Sequence, residues 1–344
     1  MNLTPGQLYF INEQDVHTGA RTNYYKIGIV RDAAERDSKN RLLEHQTGNP
    51  RKLCIVESLN MPAVEAIETN LHYLFARNRV MGEWMQFTES ELQTAIAKAK
   101  DLAAEMSNNI DDFKRAEALK DQISNGQVIP ANEEATELYG TIQDLKEVLD
   151  SCDSALEKYD DYLYEAIELG IDVSGKAKIQ ERAGAKKFDE KLFASTYPDL
   201  YKKYTSSSFP VRGSFRLKAA KEWDIDLSAI NQDQVELLAQ FIESLDGADH
   251  SMDTGFTLHE LHLGVLEIKK YAEWNIDIAN VKLRVITGEA EGIEGICTWK
   301  REAKEVVTFD KQNLQSDHPE EYLACVVQAA GTKALIVEPK AAGN

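Results

Sequence analysis

Apolar and polar positions near the start of the chain fall into short strand-like runs separated by turn residues. Residues 7–11 (QLYFI), 24–30 (YYKIGIV) and 52–59 (KLCIVESL) are rich in aromatic and β-branched residues, the composition of strands. EQDVHTGARTN, between the first two, reads as a hairpin loop with Gly19 and Asn23 as turn residues. After the second strand the polar stretch RDAAERDSKNRLLEHQ becomes helical by its end, and TGNP at 47–50 stops it. Over 62–77, Ala66, Ile67, Leu71, Leu74 and Phe75 mark one apolar helix face, and Pro62 suits the first turn. The order is β-β-α-β-α.

The rest of the chain reads differently. Thr88 and Glu91 have the spacing of a capping box, and a long alanine-rich helix follows. Leu138, Ile142, Leu145, Leu149, Cys152, Leu156, Tyr159 and Leu163 step by four and three, a heptad stripe that predicts a coiled coil or helical hairpin. FDEKLFASTYPDLY (188–201) resembles FDKQNLQSDHPEEY (309–322), an internal repeat offset by 121 residues. Two copies are too few for a solenoid and describe a duplicated helical-hairpin module with short β segments. The expected organisation is an N-terminal domain (1–92), a helical linker (93–133), repeat unit 1 (134–222), a linker (223–255) and repeat unit 2 (256–340).

Composition narrows the class. A chain of 344 residues, 43% hydrophobic and 28% charged, is an ordinary soluble globular protein, which excludes wholesale disorder. No apolar run approaches the roughly 18 residues of a membrane span, and MNLTPGQLYF lacks the basic start and apolar core of a secretory signal. Cys54, Cys152, Cys297 and Cys325 lie far apart with no CxxC pair, so a reducing, cytoplasmic setting is expected. The net charge of −19 argues against nonspecific DNA binding by the chain as a whole. Residues 1–95 hold 10 Lys and Arg against 12 Asp and Glu, however, so the remainder carries −17. The N-terminal part can hold a local basic groove, and the acidic remainder suits a solvated or protein-partner surface.

Several chemically capable residues coincide in the N-terminal part. Tyr9 sits in the first strand and Lys26 in the second. Arg41 and His45 are four apart on one helix face, as are Glu68 and His72 on the next. Taken singly, each is ordinarily packing or a solvated face. Together they can hydrolyse a phosphodiester. Glu68 can hold one hard divalent cation, Mg2+ or Mn2+, that stabilises the leaving oxygen. Arg41 can neutralise the phosphoryl oxygens, and Tyr9, Lys26 or His45 can deprotonate or orient the attacking water.

The words LYFI, KIGIV, RLLEHQTGNP, AIETNLHYLF and GEWMQF occur in the order found in the GIY-YIG nuclease superfamily. Residues 7–87 resemble its phage T5 open-reading-frame type, also called the meiotically up-regulated gene type. The resemblance implies an α+β fold, with a small three-stranded antiparallel sheet flanked by helices and mainly helical modules behind it. It also implies a metal-dependent DNA endonuclease, phage- or prophage-associated. Tyr9 matches the first-motif tyrosine, Lys26 stands in the place of the second-motif tyrosine, Arg41 matches the helix arginine and Glu68 the metal-binding glutamate. His45 falls where some members carry histidine. A longer spacing before Arg41 makes Arg36 a rival, the late asparagine of other members has no match, and Glu83 and Trp84 of GEW are read as structural or substrate-positioning.

Residues 256–335, and a shorter stretch over 135–217, resemble the tail of YqaJ-type phage recombinases, without a second nuclease core. His259 and His262 are spaced i, i+3, not the i, i+4 of a zinc-protease helix, and Trp274 and Trp299 read as packing residues. Against the nuclease stand a catalytically weak or inactive GIY-YIG module that binds nucleic acid or protein as an adaptor, and an interaction protein that works through its acidic half. The latter includes a homodimer through residues 135–169.

Overall fold

The structure, a computed structural model, describes residues 3–32, 37–47, 49–171, 173, 176–219 and 230–337. Arg36, the KEWDIDLSA segment (221–229) and the terminal KAAGN lie outside the described residues. The chain opens with strands β1 (Gly6–Gln14) and β2 (Arg21–Arg31), helix α1 (Ser38–Gln46), β3 (Lys52–Met61), α2 (Val64–Leu74), β4 (Arg79–Met81), β5 (Trp84–Gln86) and α3 (Glu89–Lys120). The five strands form one antiparallel sheet in the order β3-β1-β2-β5-β4. The three longer ones are those the sequence predicts. β4 and β5 have three residues each, too short for alternation to show.

β1 lies between β3 and β2, buried on both faces. Leu8 and Phe10 enter the large core under α2 and α3, while Tyr9 and Ile11 point to the other face with Val30 and Leu53, under Leu42 of α1. Asp37 caps α1 by accepting from the amide of Asn40, 2.9 Å away. The Thr88–Glu91 capping box starts α3, whose Leu92, Ala95, Ile96, Ala99 and Leu102 continue the same core.

The second part runs β6 (Val128–Ile129), α4 (Glu133–Glu168), β7 (Ala177–Arg182), β8 (Lys186–Phe188), α5 (Glu190–Thr196), α6 (Pro198–Lys203), β9 (Thr205–Ser208), β10 (Val211–Arg212) and β11 (Arg216–Leu217). It continues with α7 (Gln232–Leu245), α8 (Met252–Thr287), β12 (Gly292–Ile293), β13 (Cys297–Thr298), β14 (Glu302–Ala303), β15 (Val306–Phe309), α9 (Lys311–Asp317), α10 (Pro319–Ala324), β16 (Val326–Gln328) and β17 (Thr332–Val337). The heptad stripe of α4 is buried or partly buried against α7 and α8 of the same chain. α4 and α8 run antiparallel: Asp153 pairs with Lys269, and further along α4 Tyr159 bonds to His259, nearer the start of α8.

The two repeats pack on each other. β8 pairs with β16, β9 with β15, β7 with β17, β10 with β14 and β11 with β13. Adding or subtracting 121 converts each pairing into its counterpart: Phe188↔Val326 becomes Phe309↔Thr205, and Arg182↔Thr332 becomes Ala303↔Val211. The duplicated module is therefore an intramolecular pseudo-two-fold dimer. At its centre Phe193 and its counterpart Leu314 are fully buried, ringed by Phe188, Tyr197, Tyr201, Phe309 and Tyr322. Asp189 and Asp310, the second residue of each copy, cap α5 and α9 in the same way.

α8 belongs to both halves. Its Trp274, Ile278 and Val281 lie in the core beneath the N-terminal sheet, while Leu261, Val265, Ile268 and Ala272 lie in the α4–α7–α8 core. Trp274 also donates to Glu105 of α3 at 3.0 Å. Trp299 is buried as well, so both tryptophans pack. Among the described residues no helix is long and apolar enough to cross a membrane.

Candidate active site

The β1–β2 register places Tyr9 opposite Gly28 and Ile11 opposite Lys26. Directly paired residues share a sheet face, so Tyr9, Lys26 and Gly28 all face α1. α1 brings Arg41 and His45 over them. The Tyr9 hydroxyl lies 3.2 Å from His45 Nε2, and the Arg41 guanidinium bonds to the same hydroxyl while donating to Glu44 at 2.6 Å. Gly28 permits this approach: a Cβ there would stand 2.6 Å from the Tyr9 hydroxyl oxygen.

Glu68 arrives from the opposite side of the sheet. β5 pairs with β2 only over Tyr24–Lys26, so the β2 edge beyond Lys26 lacks a full neighbour strand. His72 fills part of the gap. Its Nε2 sits 3.3 Å from the Ile27 carbonyl, and Arg79 Nη2 lies 2.9 Å from its Nδ1. Arginine can only donate, so Nδ1 accepts and Nε2 carries the proton given to Ile27. His72 thereby ties α2 to β2. Glu68, one turn earlier, lies 4.0 Å from His72 at the same edge.

Glu83 completes the cluster. It sits in the β4–β5 turn after Gly82, whose φ of +58° suits glycine. Its main-chain carbonyl accepts from Ile27, and its carboxylate pairs with the Lys26 ammonium. The sequence reading of GEW as structural or substrate-positioning omits this contact with Lys26. The available signal is a carboxylate beside a turn glycine at the start of the motif word GEWMQF. Trp84 packs at the side, against the Tyr9 cluster.

Burial sets the electrostatics. It pushes Tyr9 up to about 12, against the pull of Arg41. It lowers His45, with Lys26 and Arg41 adding to the effect, and brings His72 down to about 4, with Arg79 next. Glu83 is pushed up by burial, but its bond to Lys26 and the charge of that ammonium leave it lowered. Glu68 is raised to about 7, first by burial and then by the negative charge of Glu83. A carboxylate so placed favours a cation beside it. Among the described residues no group of three or more His, Cys, Asp or Glu gathers into a ready-made cage.

Four of the five sequence-derived site residues, Tyr9, Lys26, Arg41 and His45, thus meet on the α1 face of the sheet. Glu68 reaches them around the open edge of β2, close enough for its charge to act on Tyr9 and for Lys26 to act on it. His259 and His262, by contrast, are buried in the helical core with Tyr159, 3.2 Å from His259 Nδ1. Residues 6–100 match the family model of the T5orf172 domain, a little over a quarter of the chain. No curated protein and no solved structure matches the chain.

Proposed function

We propose that the chain is a metal-dependent DNA endonuclease of the GIY-YIG class, phage- or prophage-associated. The observation that carries the reading is the convergence of Tyr9, Lys26, Arg41 and His45 with a largely buried Glu68 at one open sheet edge. The T5orf172 match over the same residues supports a nuclease or nucleic-acid-binding role.

The residues divide the work. His45, held neutral, takes the proton as water attacks phosphorus and the P–O bond to the leaving oxygen breaks. Tyr9 stays protonated and orients His45 through their hydrogen bond. Arg41 is more than a third exposed and neutralises the phosphoryl oxygens. Lys26, held by Glu83, adds a fixed positive charge. A hard divalent cation held by Glu68, Mg2+ or Mn2+, would supply charge for the leaving oxygen. It would keep most of its shell as water and substrate oxygen. The acidic second half is read as a partner-binding or regulatory module.

The test is cleavage of supercoiled, linear and single-stranded DNA with Mg2+, Mn2+ or chelator. Cutting is expected only with metal, and Glu68→Ala is expected to abolish it while leaving the fold intact. Full activity in that variant overturns the role of Glu68. Well-folded protein that binds DNA without cutting it under any condition is instead the adaptor.

A further inference from the structure

The acidic half contains a concentrated basic site. Arg212, Arg216, Lys300 and Lys304 line a pocket of about 310 Å³ together with Thr298, Gly213 and Ser214. All four cations are exposed. Glu302 lies between the two lysines, 3.1 Å from Lys300 and 2.9 Å from Lys304, and fixes their positions.

Two further guanidinium groups stand behind the same strands. Exposure alternates over 298–301, with Thr298 and Lys300 exposed on the pocket side and Trp299 and Arg301 buried on the other. Arg301 is 1% exposed and lies 3.9 Å over the Trp299 ring. Its Nη2 donates to the Gly288 carbonyl at 2.7 Å, while its Nε and Nη1 have no hydrogen-bond partner among the described residues. Arg284 lies 5.2 Å over Phe215, which meets Trp299 edge-on. Charges set in a low-dielectric wall act over a longer range than charges in water. Glu302, Glu291 and Glu289 lie near Lys300 and Arg301, and Asp277 and Glu117 near Arg284, so the six cations exceed these five carboxylates by one.

The pseudo-two-fold provides an internal reference. The offset of 121 maps Arg212 onto Lys333, Arg216 onto Val337, Lys300 onto Ile179 and Lys304 onto Ala183. The same backbone pairing forms there with only one of the four charges, so the fold does not require the other three.

We propose that this pocket binds phosphates of the DNA backbone, giving the chain an anchor separate from the candidate active site. The choice of DNA as the phosphate source rests on the nuclease reading. Guanidinium forks suit phosphate oxygens in bidentate pairs, and the lysines add point charges.

Binding of the full chain to a fluorescein-labelled DNA duplex, by anisotropy across a sodium chloride series in chelator, tests this. Arg212→Ser with Arg216→Ser is expected to weaken binding about tenfold or more. It is also expected to flatten the slope of log affinity against log salt by about 2, since each phosphate contact contributes about 0.9. Removing two charges from the symmetry-related β7–β17 strands instead, Arg182→Ser with Lys333→Ser, is expected to change neither. A slope unchanged by the pocket variant, an equal loss in both variants, or no binding by the wild type overturns the proposal. Cleavage reports separately on the other reading. Glu68-dependent cutting with an unchanged slope removes the pocket and keeps the nuclease. A slope that falls as expected in a chain that never cuts keeps the pocket and removes the nuclease.

Discussion

Replacing Gly28 with alanine should dislodge Tyr9, and the size of the effect can be worked from the sheet register. The two residues are directly opposed in β1–β2. An alanine Cβ would stand 2.6 Å from the Tyr9 hydroxyl oxygen, 2.7 Å from Cζ and 2.9 Å from Cε2. Ordinary contact needs about 3.5 Å or more, so the ring must move by about 1 Å. It has little room, because Tyr9 is 1% exposed and packed among Ile11, Val30, Leu53 and Trp84. Overpacking of this kind costs about 1–3 kcal/mol. Without the clash, alanine in a strand interior is worth about 0.5–1 kcal/mol over glycine. The sign of the effect therefore depends on Tyr9. Gly28→Ala should lower the urea midpoint in the wild-type background and be neutral or stabilising beside Tyr9→Leu. Tyr9→Phe should not relieve it, since Cζ itself is in the way. Equal costs of Gly28→Ala in the Tyr9 and Leu backgrounds would refute the reasoning. Cleavage by the single variant should fall about 100-fold, the usual consequence of a displacement near 1 Å in a catalytic group.

Other outcomes follow from the same structure. Burial holds His259 at about 4 and His262 at about 3, below an unfolded value near 6.5. Both stay neutral in the fold while the unfolded chain takes up protons, so their penalty is absent above about pH 6.5 and reaches about 2 kcal/mol per histidine by pH 5. Urea midpoints across that window measure it, and a His262→Leu chain with the same pH slope as wild type would contradict it. Glu83→Gln removes the charge that repels Glu68, so the Glu68 carboxyl should titrate lower by carbon NMR, and cutting should drop as Lys26 loses its anchor. An unmoved Glu68 titration would separate the two carboxylates. Leu314→Ala, at the pseudo-two-fold centre, should cost about 2–5 kcal/mol. A loss well under 1 kcal/mol in calorimetry would show that the two repeats do not share a core.

Much of the sheet was legible because its strands are long enough to show composition and the β1–β2 loop carries Gly19, although Asn23, read as a turn residue, lies within β2. The α4 stripe was equally plain, since a heptad names the face that must be buried. It does not name the partner, and α7 and α8 of the same chain cover it. The repeat was visible as FD…P…Y. That the copies embrace was not, because similarity between segments is silent on contact. At the candidate site, Tyr9, Lys26, Arg41, His45 and Glu68 were singled out through their motif words. The clamp of His72 between Arg79 and the Ile27 carbonyl is tertiary, and i, i+4 spacing from Glu68 reveals only the shared face. The pairing of Glu83 was hidden for the same reason: its partner Lys26 lies far away in sequence and meets it only when β5 joins β2.

The place of α8 bears on how the acidic half can influence the site. A module on a flexible tether would average its charge over many positions. Here Trp274, Ile278 and Val281 are built into the core beneath the sheet, and Trp274 is bonded to Glu105 of α3. The two halves share one helix, so the negative surface is held at a fixed position relative to Arg41 and Lys26. Removing the second half would also strip apolar cover from the N-terminal core, which makes a truncated chain a poor measure of electrostatic inhibition. Charge reversal on exposed acidic positions of the second half, in the intact chain, separates the two effects. An inhibitory field weakens as salt rises, because exposed charges are screened over about 8 Å at physiological ionic strength. Loss of core packing is far less sensitive to salt. The dependence of binding on salt, in full-length protein, is thus the quantity that distinguishes a fixed repulsive surface from a basic pocket that draws the same duplex in.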